Sequence, residues 1–265
     1  NLIDTPGEPS FQGDAIAALH VVEGALVTVS GVMGVEVQTT RNWARAEELG
    51  LARVIFVNML DRERADFFRV LEQLRAQFGN QCVAVHLPIG AEHELNGIVD
   101  VLHMTSYSSP EGDREGKPVE IPADLVSQVD EYRTQLLDSV VETDEALMER
   151  YLDGQELSPE EVASALKSAV TRGELFPVMC GVATKNLGTT AVLDLLVEGV
   201  PSPQGRTQAQ KAAWFARHAD RYRRGLVLPP RGHIDMSAVL LTEPSSAGAH
   251  AGLVFLDAAG CPRFA

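Results

Sequence analysis

The stretch Arg53-Val54-Ile55-Phe56-Val57-Asn58-Met59-Leu60-Asp61 joins an apolar run to a polar loop. A short, continuous apolar run rich in β-branched residues predicts a strand that is covered on both faces, as in a parallel sheet. The polar residues then follow the carboxyl end of that strand. In open α/β sheets this is the edge at which ligands bind. The stretch therefore predicts both a fold class and the position of a site.

Similar apolar runs recur on both sides of this strand, at residues 25–30, 83–87 and 176–180. Helical patterns lie before, between and after them, at residues 11–22, 39–49, 67–78 and 189–199. Alternating strands and helices at these spacings predict right-handed βαβ units and a mostly parallel sheet flanked by helices. Residues 25–30 are also expected to be covered on both faces, Leu2-Ile3 to end a strand, and Ser10 to cap the first helix.

The alternation is interrupted between residues 91 and 174. Residues 98–102 predict a strand of a small subdomain, and residues 108–117 predict a polar loop. Residues 122–152 predict one long acidic helix. Ser158-Pro159-Glu160-Glu161 predicts the start of another, with Ser158 as N-cap, and Gly173 predicts its end. An α/β insert within the main sheet explains this pattern.

The composition limits the class of protein. The net charge of −15 argues against binding nucleic acid through the whole surface, and no direct nucleic-acid site is identified. No apolar run approaches the length of a membrane span, so no membrane partner is expected. The three cysteines lie far apart, at Cys82, Cys180 and Cys261, and form neither a zinc motif nor a disulfide framework. A reduced, cytoplasmic setting is the expectation.

The charge is unevenly distributed along the chain. Residues 1–205 carry 14 basic and 33 acidic side chains, whereas residues 206–265 carry 8 and 4. The switch from a net charge of −19 to one of +4 follows the linker-like Pro201-Ser202-Pro203. It indicates two segments of different character.

Three loops are expected to meet at one edge of the sheet, because each follows a predicted strand. They are Asp4-Thr5-Pro6-Gly7, Asn58-Met59-Leu60-Asp61 and Gly181-Val182-Ala183-Thr184-Lys185. An aspartate at a strand end can hold a Mg²⁺-bound water, and a glycine lets a phosphate approach the backbone. The Asp61 carboxylate can accept both the N1–H and the exocyclic amine of guanine. A backbone N–H of the third loop can donate to the guanine oxygen.

In this order and spacing, the motifs resemble those of the GTPase domain of bacterial elongation factor G, over residues 1 to about 203. The matching segments are Asp4–Gly7, residues 31–39, 56–62 with 65–67, 87–92 with 97–100, 180–188, and 201–203. The resemblance implies four segments: residues 1–90 as part of the Ras-like GTPase core, 91–174 as the family's insert subdomain, 175–203 as the end of the core, and 204–265 as an uncertain tail. Disorder and a shifted reading frame are the candidate explanations for the tail.

The resemblance also implies ligands and partners. These are GTP or GDP with Mg²⁺, and the ribosome. Asp4 would bind the metal through water, and the nucleotide would be contacted from all three loops, by Asp4, Thr5, Pro6, Gly7, Asn58, Met59, Leu60, Asp61, Val182, Ala183 and Thr184.

Three departures from the family fall at functional positions. Glu8 stands where the family has the His that orients the attacking water, and a carboxylate beside a triphosphate opposes the transition state. Met59 stands in place of a Lys, and keeps its packing but not its ammonium. Val182 stands in place of a Ser and lacks its hydroxyl. Glu8 as a solvated loop carboxylate, and Asp61 as a helix N-cap, are the plain structural alternatives.

The chain has no initiator Met, and the family's phosphate loop and first switch are absent from it. We therefore expect a fragment of the GTPase domain that is inactive on its own and binds GDP weakly. Two alternatives remain open. One is a ribosome-binding regulatory paralogue that does not hydrolyse GTP, and the other is a non-functional truncated product.

Overall fold

The computed structural model describes residues 2–108, 117–202, 255–256 and 262–263. The chain divides into two units, Asn1–Pro201 and Ser202–Ala265. In chain order, the elements of the first unit are α1 (Gln12–Leu19), β1 (Gly24–Ser30), α2 (Val37–Glu48), β2 (Ala52–Asn58), α3 (Phe67–Phe78), β3 (Cys82–Ala84), β4 (His86–Ile89), β5 (Gly97–Asp100), β6 (Thr105–Ser108), β7 (Lys117–Val119), α4 (Val126–Val141), α5 (Glu145–Leu152), α6 (Pro159–Arg172), β8 (Phe176–Cys180) and α7 (Thr189–Gly199).

A parallel sheet with strand order β1-β2-β8-β3 forms the centre of this unit. Residues 52–57 of β2 are all buried, which confirms the prediction for the central strand. The prediction of two covered faces is wrong for β1. This strand is an outer strand of the described sheet, and Leu26 is 36% exposed. Together with the flanking helices, the sheet confirms the predicted α/β class.

The charged residue at the start of β2 is buried by aromatic rings. The Arg53 guanidinium lies 4.7 Å from the ring centre of Trp43 and 4.2 Å from that of Phe176. Its Nη1 donates to Glu47 Oε1 at 3.1 Å. Trp43 also stacks on Phe78 of α3, with ring centres 4.2 Å apart. Cation–π contacts and the ion pair offset the cost of burying this charge, so α2, α3, β2 and β8 share one core.

The strands that follow β3 form a second, antiparallel sheet with strand order β4-β5-β6-β7. The single strand predicted over residues 83–87 is therefore wrong, because the chain changes sheets at Val85. The Val85 N–H donates to Val178 O of β8, and its carbonyl accepts from Val101 N, both at 3.0 Å. Two strands, β6 and β7, flank the segment that was predicted to be only a loop. Strands β4 to β7 thus form an antiparallel sheet beside the parallel one, which the sequence did not predict.

The prediction of one long helix over residues 122–152 is wrong, because this segment forms two helices, α4 and α5. Asp144 Oδ1 accepts from the N–H groups of Ala146 and Leu147, each at 3.1 Å, and so begins a new helix. An aspartate N-cap competes effectively with continuation of the preceding helix. The start of α6 is confirmed: Ser158 and Glu161 form a reciprocal capping box, and Gly173 ends the helix with a φ of 74°.

Two N-terminal details are corrected. Leu2 and Ile3 form no strand; they are 75% and 48% exposed, and no strand of the described residues pairs with them. Ser10 caps no helix. It lies inside a 3₁₀ turn, Pro9–Phe11, that leads directly into α1. Across the described ranges, no helix is both long enough and apolar enough to cross a bilayer.

In the second unit, the described residues form two short strands, β9 (Phe255–Leu256) and β10 (Pro262–Arg263), which pair antiparallel. Apart from these four residues, the predictions made for the tail lie outside the part of the chain that the structure describes.

Candidate functional site

The carboxyl ends of β1, β2 and β8 lie side by side, because β2 pairs in parallel with both of its neighbours. Each strand runs into one polar loop. We call these the β1 loop (residues 31–35), the β2 loop (58–61) and the β8 loop (181–186). The sheet thus brings together two of the three predicted site segments, and adds a third that the sequence did not assign to the site.

Asn58 joins the β2 loop to the β8 loop. Its side-chain oxygen accepts from the N–H of Ala183 at 3.0 Å, although 125 positions separate the two residues. The same oxygen accepts from the N–H of Met59 at 2.8 Å. A single amide therefore fixes both loops in one arrangement.

Asp61 forms an ion pair with a residue of the β8 loop. Lys185 Nζ lies 3.1 Å from Asp61 Oδ2, and the two side chains are 50% and 20% exposed. A carboxylate has two oxygens and about four acceptor sites, so one contact leaves Asp61 able to accept further hydrogen bonds. Lys185 was not among the predicted ligand-contacting residues. In the sequence, only its position at the end of the stretch Gly181–Lys185 placed it near the predicted site.

The interpretation of Asp61 as a helix N-cap is wrong. The residue that caps α3 is Asp66, whose Oδ1 accepts from the N–H of Arg69 at 3.0 Å. Asp61 lies before this turn, at the loop surface. Its carboxylate is therefore not consumed by helix capping.

Hydrogen bonds join the β1 loop to the β2 loop and to the start of α3. The Gly31 N–H donates to Asn58 O at 2.7 Å, and its carbonyl accepts from Asp66 N at 3.0 Å. Arg69 Nη2 donates to the carbonyls of Gly31 and Val32, at 3.0 and 2.7 Å. A Cβ at position 31 would lie only 2.6 Å from Leu60 Cδ2. A larger residue at position 31 would therefore have to displace the Leu60 side chain.

Met59 adopts a left-handed backbone conformation, with φ of 63°. This is uncommon for a residue with a side chain, and such strained positions concentrate at functional sites. Its side chain is 43% exposed. Leu60, the next residue, is buried, so one residue of the β2 loop faces solvent and its neighbour packs in the core.

The β8 loop has a buried side and an exposed side. Val182 is 1% exposed and forms a two-way backbone pair with Leu187, at 3.0 and 3.1 Å. Ala183 and Thr184 are exposed. The apolar side chain at position 182 therefore anchors the loop, and the residues after it face solvent beside Asn58 and Asp61.

The segment Asp4–Glu8 is not joined to these loops. Asp4, Pro6, Gly7 and Glu8 are exposed and Thr5 is half-buried. In the part of the chain that the structure describes, no hydrogen bond or ion pair connects this segment to the β2 or β8 loop. The structure thus brings together the two loops predicted to contact the base, residues 58–61 and 181–185. The segment predicted to hold the metal, Asp4–Gly7, lies apart from them.

Comparison with known proteins identifies this architecture. Residues 1–202 match the family model described as the elongation factor Tu GTP binding domain. The chain belongs to this family of translational GTPases. Within it, the chain is 39% identical over 204 residues to Elongation factor G of Ureaplasma urealyticum serovar 10, a match that covers 77% of this chain and 30% of that protein.

The fold also agrees with a solved structure. A crystal structure of a protein from Thermus thermophilus matches with a TM-score of 0.70 and 36% sequence identity, over 76% of this chain and 30% of that one. The chain thus spans about 30% of the length of these relatives. The fold and the elongation factor G family membership predicted from the motifs are confirmed.

A second family model, described as Proline racemase, matches residues 187–265. The two family matches overlap at residues 187–202. In the structure these residues include α7, whose Val192 is 7% exposed and whose Leu195 and Leu196 pack against the core of the first unit. Of the overlapping residues, 187–201 therefore fold with the first unit.

Proposed function

We propose that residues 1–202 serve as a guanine-nucleotide-binding GTPase segment of an elongation factor G-like protein, which couples GTP hydrolysis to translocation on the ribosome. The observation that carries this proposal is the hydrogen bond from Ala183 N–H to Asn58 Oδ1. It joins the two loops that the family uses for base recognition, beside a partly exposed aspartate. Family membership supports the same function.

The chemistry of the site suits guanine. We assign to Asp61 the N1–H and the exocyclic amine of the base, which its carboxylate oxygens can accept together. The Ala183 N–H is already engaged by Asn58, so we assign the guanine oxygen to the N–H of Thr184, on the exposed part of the β8 loop. Adenine offers the opposite pattern of donors and acceptors, so the proposed contacts select against it.

The metal side of the proposal rests on Asp4. Mg²⁺ is usually held by one or two carboxylates together with waters and substrate phosphates. Within residues 2–108 and 117–202, no three acidic, His or Cys side chains cluster as a ready-made metal site. The exposed Asp4 fits a single, water-mediated contact. When bound, the metal would neutralise phosphate charge.

The affinity of this chain follows from the contacts that it makes. Asn58, Asp61 and the β8 loop supply base-side contacts, so we expect weak GDP binding that is selective for guanine. Calorimetric titration of the 265-residue chain tests this. Weak heat with GDP and none with ADP is expected. Tight binding of GDP would contradict the expected weak affinity, and equal heats with GDP and ADP would overturn the assignment to guanine.

Hydrolysis depends on Glu8. Glu8 stands where the family has a histidine, and a carboxylate beside the reacting phosphates would oppose the transition state, which favours a non-hydrolysing regulatory paralogue as the second candidate. Ribosome-stimulated hydrolysis, measured in a full-length protein with Glu8 and with Glu8→His, separates the two. Strong turnover with Glu8 in place would count against the regulatory candidate.

We propose further that the segment after Pro203 has a different origin from the GTPase unit. The match to the Proline racemase model, the reversal of charge near residue 206 and the boundary between the units at Pro201 and Ser202 support this. A family-like sequence is not what a shifted reading frame would produce. Sequencing the locus tests the proposal: an uninterrupted frame through the junction is expected, and a frameshift there would overturn it.

A further inference from the structure

Strand β1 forms an open edge of the parallel sheet. Glu23 O, just before it, accepts from the N–H of Ala52 at 3.3 Å, and the Gly31 N–H, just after it, donates to Asn58 O at 2.7 Å. Alternate residues of a strand direct their backbone groups to the same side. The odd-numbered residues of β1 therefore face β2, and its even-numbered residues face outward.

The outward groups in the middle of β1 belong to Leu26 and Thr28. Within the described residues, no hydrogen bond to the N–H or carbonyl of either one is formed. Both side chains are exposed as well. The Ser30 carbonyl, at the end of the strand, accepts from the Gly34 N–H at 2.8 Å. A row of unpaired backbone groups of this kind is a template for pairing with another strand.

The other outer strands of the two described sheets are blocked. All three residues of β3 are buried, β4 contains Pro88, and β7 carries Lys117 and Pro118. Burial, proline and lysine are devices that prevent edge-to-edge pairing. The stretch Gly24–Ser30 contains neither proline nor a charged residue. This contrast indicates that β1 is available to a partner.

Exposed apolar side chains lie beside this edge. Leu193 and Val197 of α7 are exposed and lie four residues apart, on one side of the helix. Val200 follows on the same side, and its Cγ1 comes within 2.5 Å of the position that a Cβ on Gly24 would take. The end of α7 therefore lies against the start of β1. Association at β1 would bury apolar surface in addition to pairing the strand.

The edge is complementary to itself. In an antiparallel pairing centred on Val27, Leu26 of each copy lies opposite Thr28 of the other. Both residues face outward, so each such pair exchanges both of its backbone hydrogen bonds. This arrangement has two-fold symmetry, which is the commonest symmetry of protein dimers.

The distribution of charge favours a second copy at this edge. The net charge of −15 makes two copies repel each other in general. Residues 24–35, however, carry no charge, so the edges themselves bring no like charges together. In the pairing centred on Val27, Glu23 lies opposite Gly31 and not opposite a second carboxylate. The uncharged edge is thus a place where two copies of this acidic chain can meet.

We propose that this chain forms a two-fold dimer in which β1 pairs antiparallel with β1 of a second copy. The pairing joins the two central sheets into one continuous sheet. Leu26 and Thr28 supply the hydrogen bonds between the copies, and the apolar residues beside the edge supply buried surface. The proposal is independent of the nucleotide loops and holds whether or not they bind guanine.

Sedimentation velocity of the 265-residue chain, from micromolar to near-millimolar concentration, tests the proposal. The average mass should rise from that of one chain toward that of two. Added salt should strengthen association, because it screens the repulsion between the copies. Hydrogen exchange of the Leu26 and Thr28 amides should slow as the dimer forms, whereas the Val27 amide, which faces β2 in both states, should not change.

Two substitutions remove the proposed pairing, and a third is the control. Thr28→Pro deletes an outward N–H and leaves the bonds to β2 in place, whereas Leu26→Lys adds a charge to the edge; each should abolish the dimer. Val119→Lys alters an exposed residue of β7, an outer strand that is already blocked, and should leave the dimer intact. If Thr28→Pro fails to fold, Leu26→Lys decides.

A monomer at all concentrations would show that β1 does not pair with a second copy, and would overturn the proposal. A dimer that persists in Leu26→Lys would do the same, because its interface would lie elsewhere. Species larger than a dimer would also contradict it, since the two-fold pairing occupies the open edge of both copies.

Discussion

Lys185 Nζ lies 3.1 Å from Asp61 Oδ2, so a lysine of the β8 loop forms an ion pair with the carboxylate that we assign to the base. The neighbouring position 59 carries a methionine, which supplies no ammonium. Lys185 thus places a positive charge beside Asp61 from the opposite loop. This pairing limits the rotation of the carboxylate.

Lys185→Met should therefore weaken guanine binding. The pair is partly exposed, so the expected effect is modest, about a two- to fivefold increase in the Kd for GDP. NMR titration of the chain with GDP measures it. Lys167→Met, which removes a lysine of α6, is the control and should leave the Kd unchanged. Tighter GDP binding by Lys185→Met would show that the lysine competes with the base.

Asp61→Asn should change the preferred base. The substitution replaces one acceptor oxygen by an NH₂ donor, which suits the 2-carbonyl of xanthine better than the 2-amine of guanine. We expect the affinity for GDP to fall by about tenfold or more, and that for xanthosine diphosphate to rise above it.

Competition between the two nucleotides measures this preference. Asp66→Asn is the matched control, because Asp66 caps α3 and faces no assigned ligand atom. An unchanged preference for GDP in Asp61→Asn would remove Asp61 from the site.

His86 should make the folding free energy depend on pH. Burial lowers its pKa below the ordinary value of 6.5, so the unfolded chain binds the proton more readily than the folded one. The contribution of the neutral His86 to the folding free energy is therefore fully present above pH 6.5. It is lost as the pH falls toward the lowered pKa, by up to about 1.4 kcal/mol per pH unit.

Urea unfolding between about pH 5 and 8 measures this slope. It should be shallower in His86→Phe and unchanged in His93→Phe, since His93 is exposed. The same slope in His86→Phe and in the parent would assign the pH dependence to other groups.

Cys82 and Cys180 should resist thiol reagents in the folded chain. Both are fully buried, and burial raises the pKa of Cys82 to about 12 and that of Cys180 further still. The thiolate is the reactive species, so neither should react at about pH 8 until the chain unfolds. Reaction with a chromophoric disulfide in a Cys261→Ser background checks this, with urea-unfolded chain as the control. Two rapidly reacting thiols under native conditions would contradict the described core.

The central sheet was largely predictable from the sequence, because its signals are local. The buried run of β2 and the capping box of α6 each indicated their element without knowledge of the partners. The sheet change at Val85 could not be predicted, since it depends on hydrogen bonds to Val178 and Val101, which lie elsewhere in the chain. The break at Asp144 carried a capping signal that the long acidic pattern obscured.

The candidate site was predictable to a similar degree. Asn58 and Asp61 stand at the end of a strand and were assigned from their spacing. The contact of Lys185 with Asp61, and the capping of α3 by Asp66 instead of Asp61, depend on side-chain positions that spacing does not determine.

The central claim is that the β2 and β8 loops recognise guanine. The most direct measurement is an NMR titration of the ¹⁵N-labelled chain with GDP and, in parallel, with ADP at the same millimolar concentrations. We predict shifts at the amides of residues 59–61 and 183–185 with GDP that ADP does not produce. Equal shifts with both nucleotides, or none at these amides, would contradict the claim.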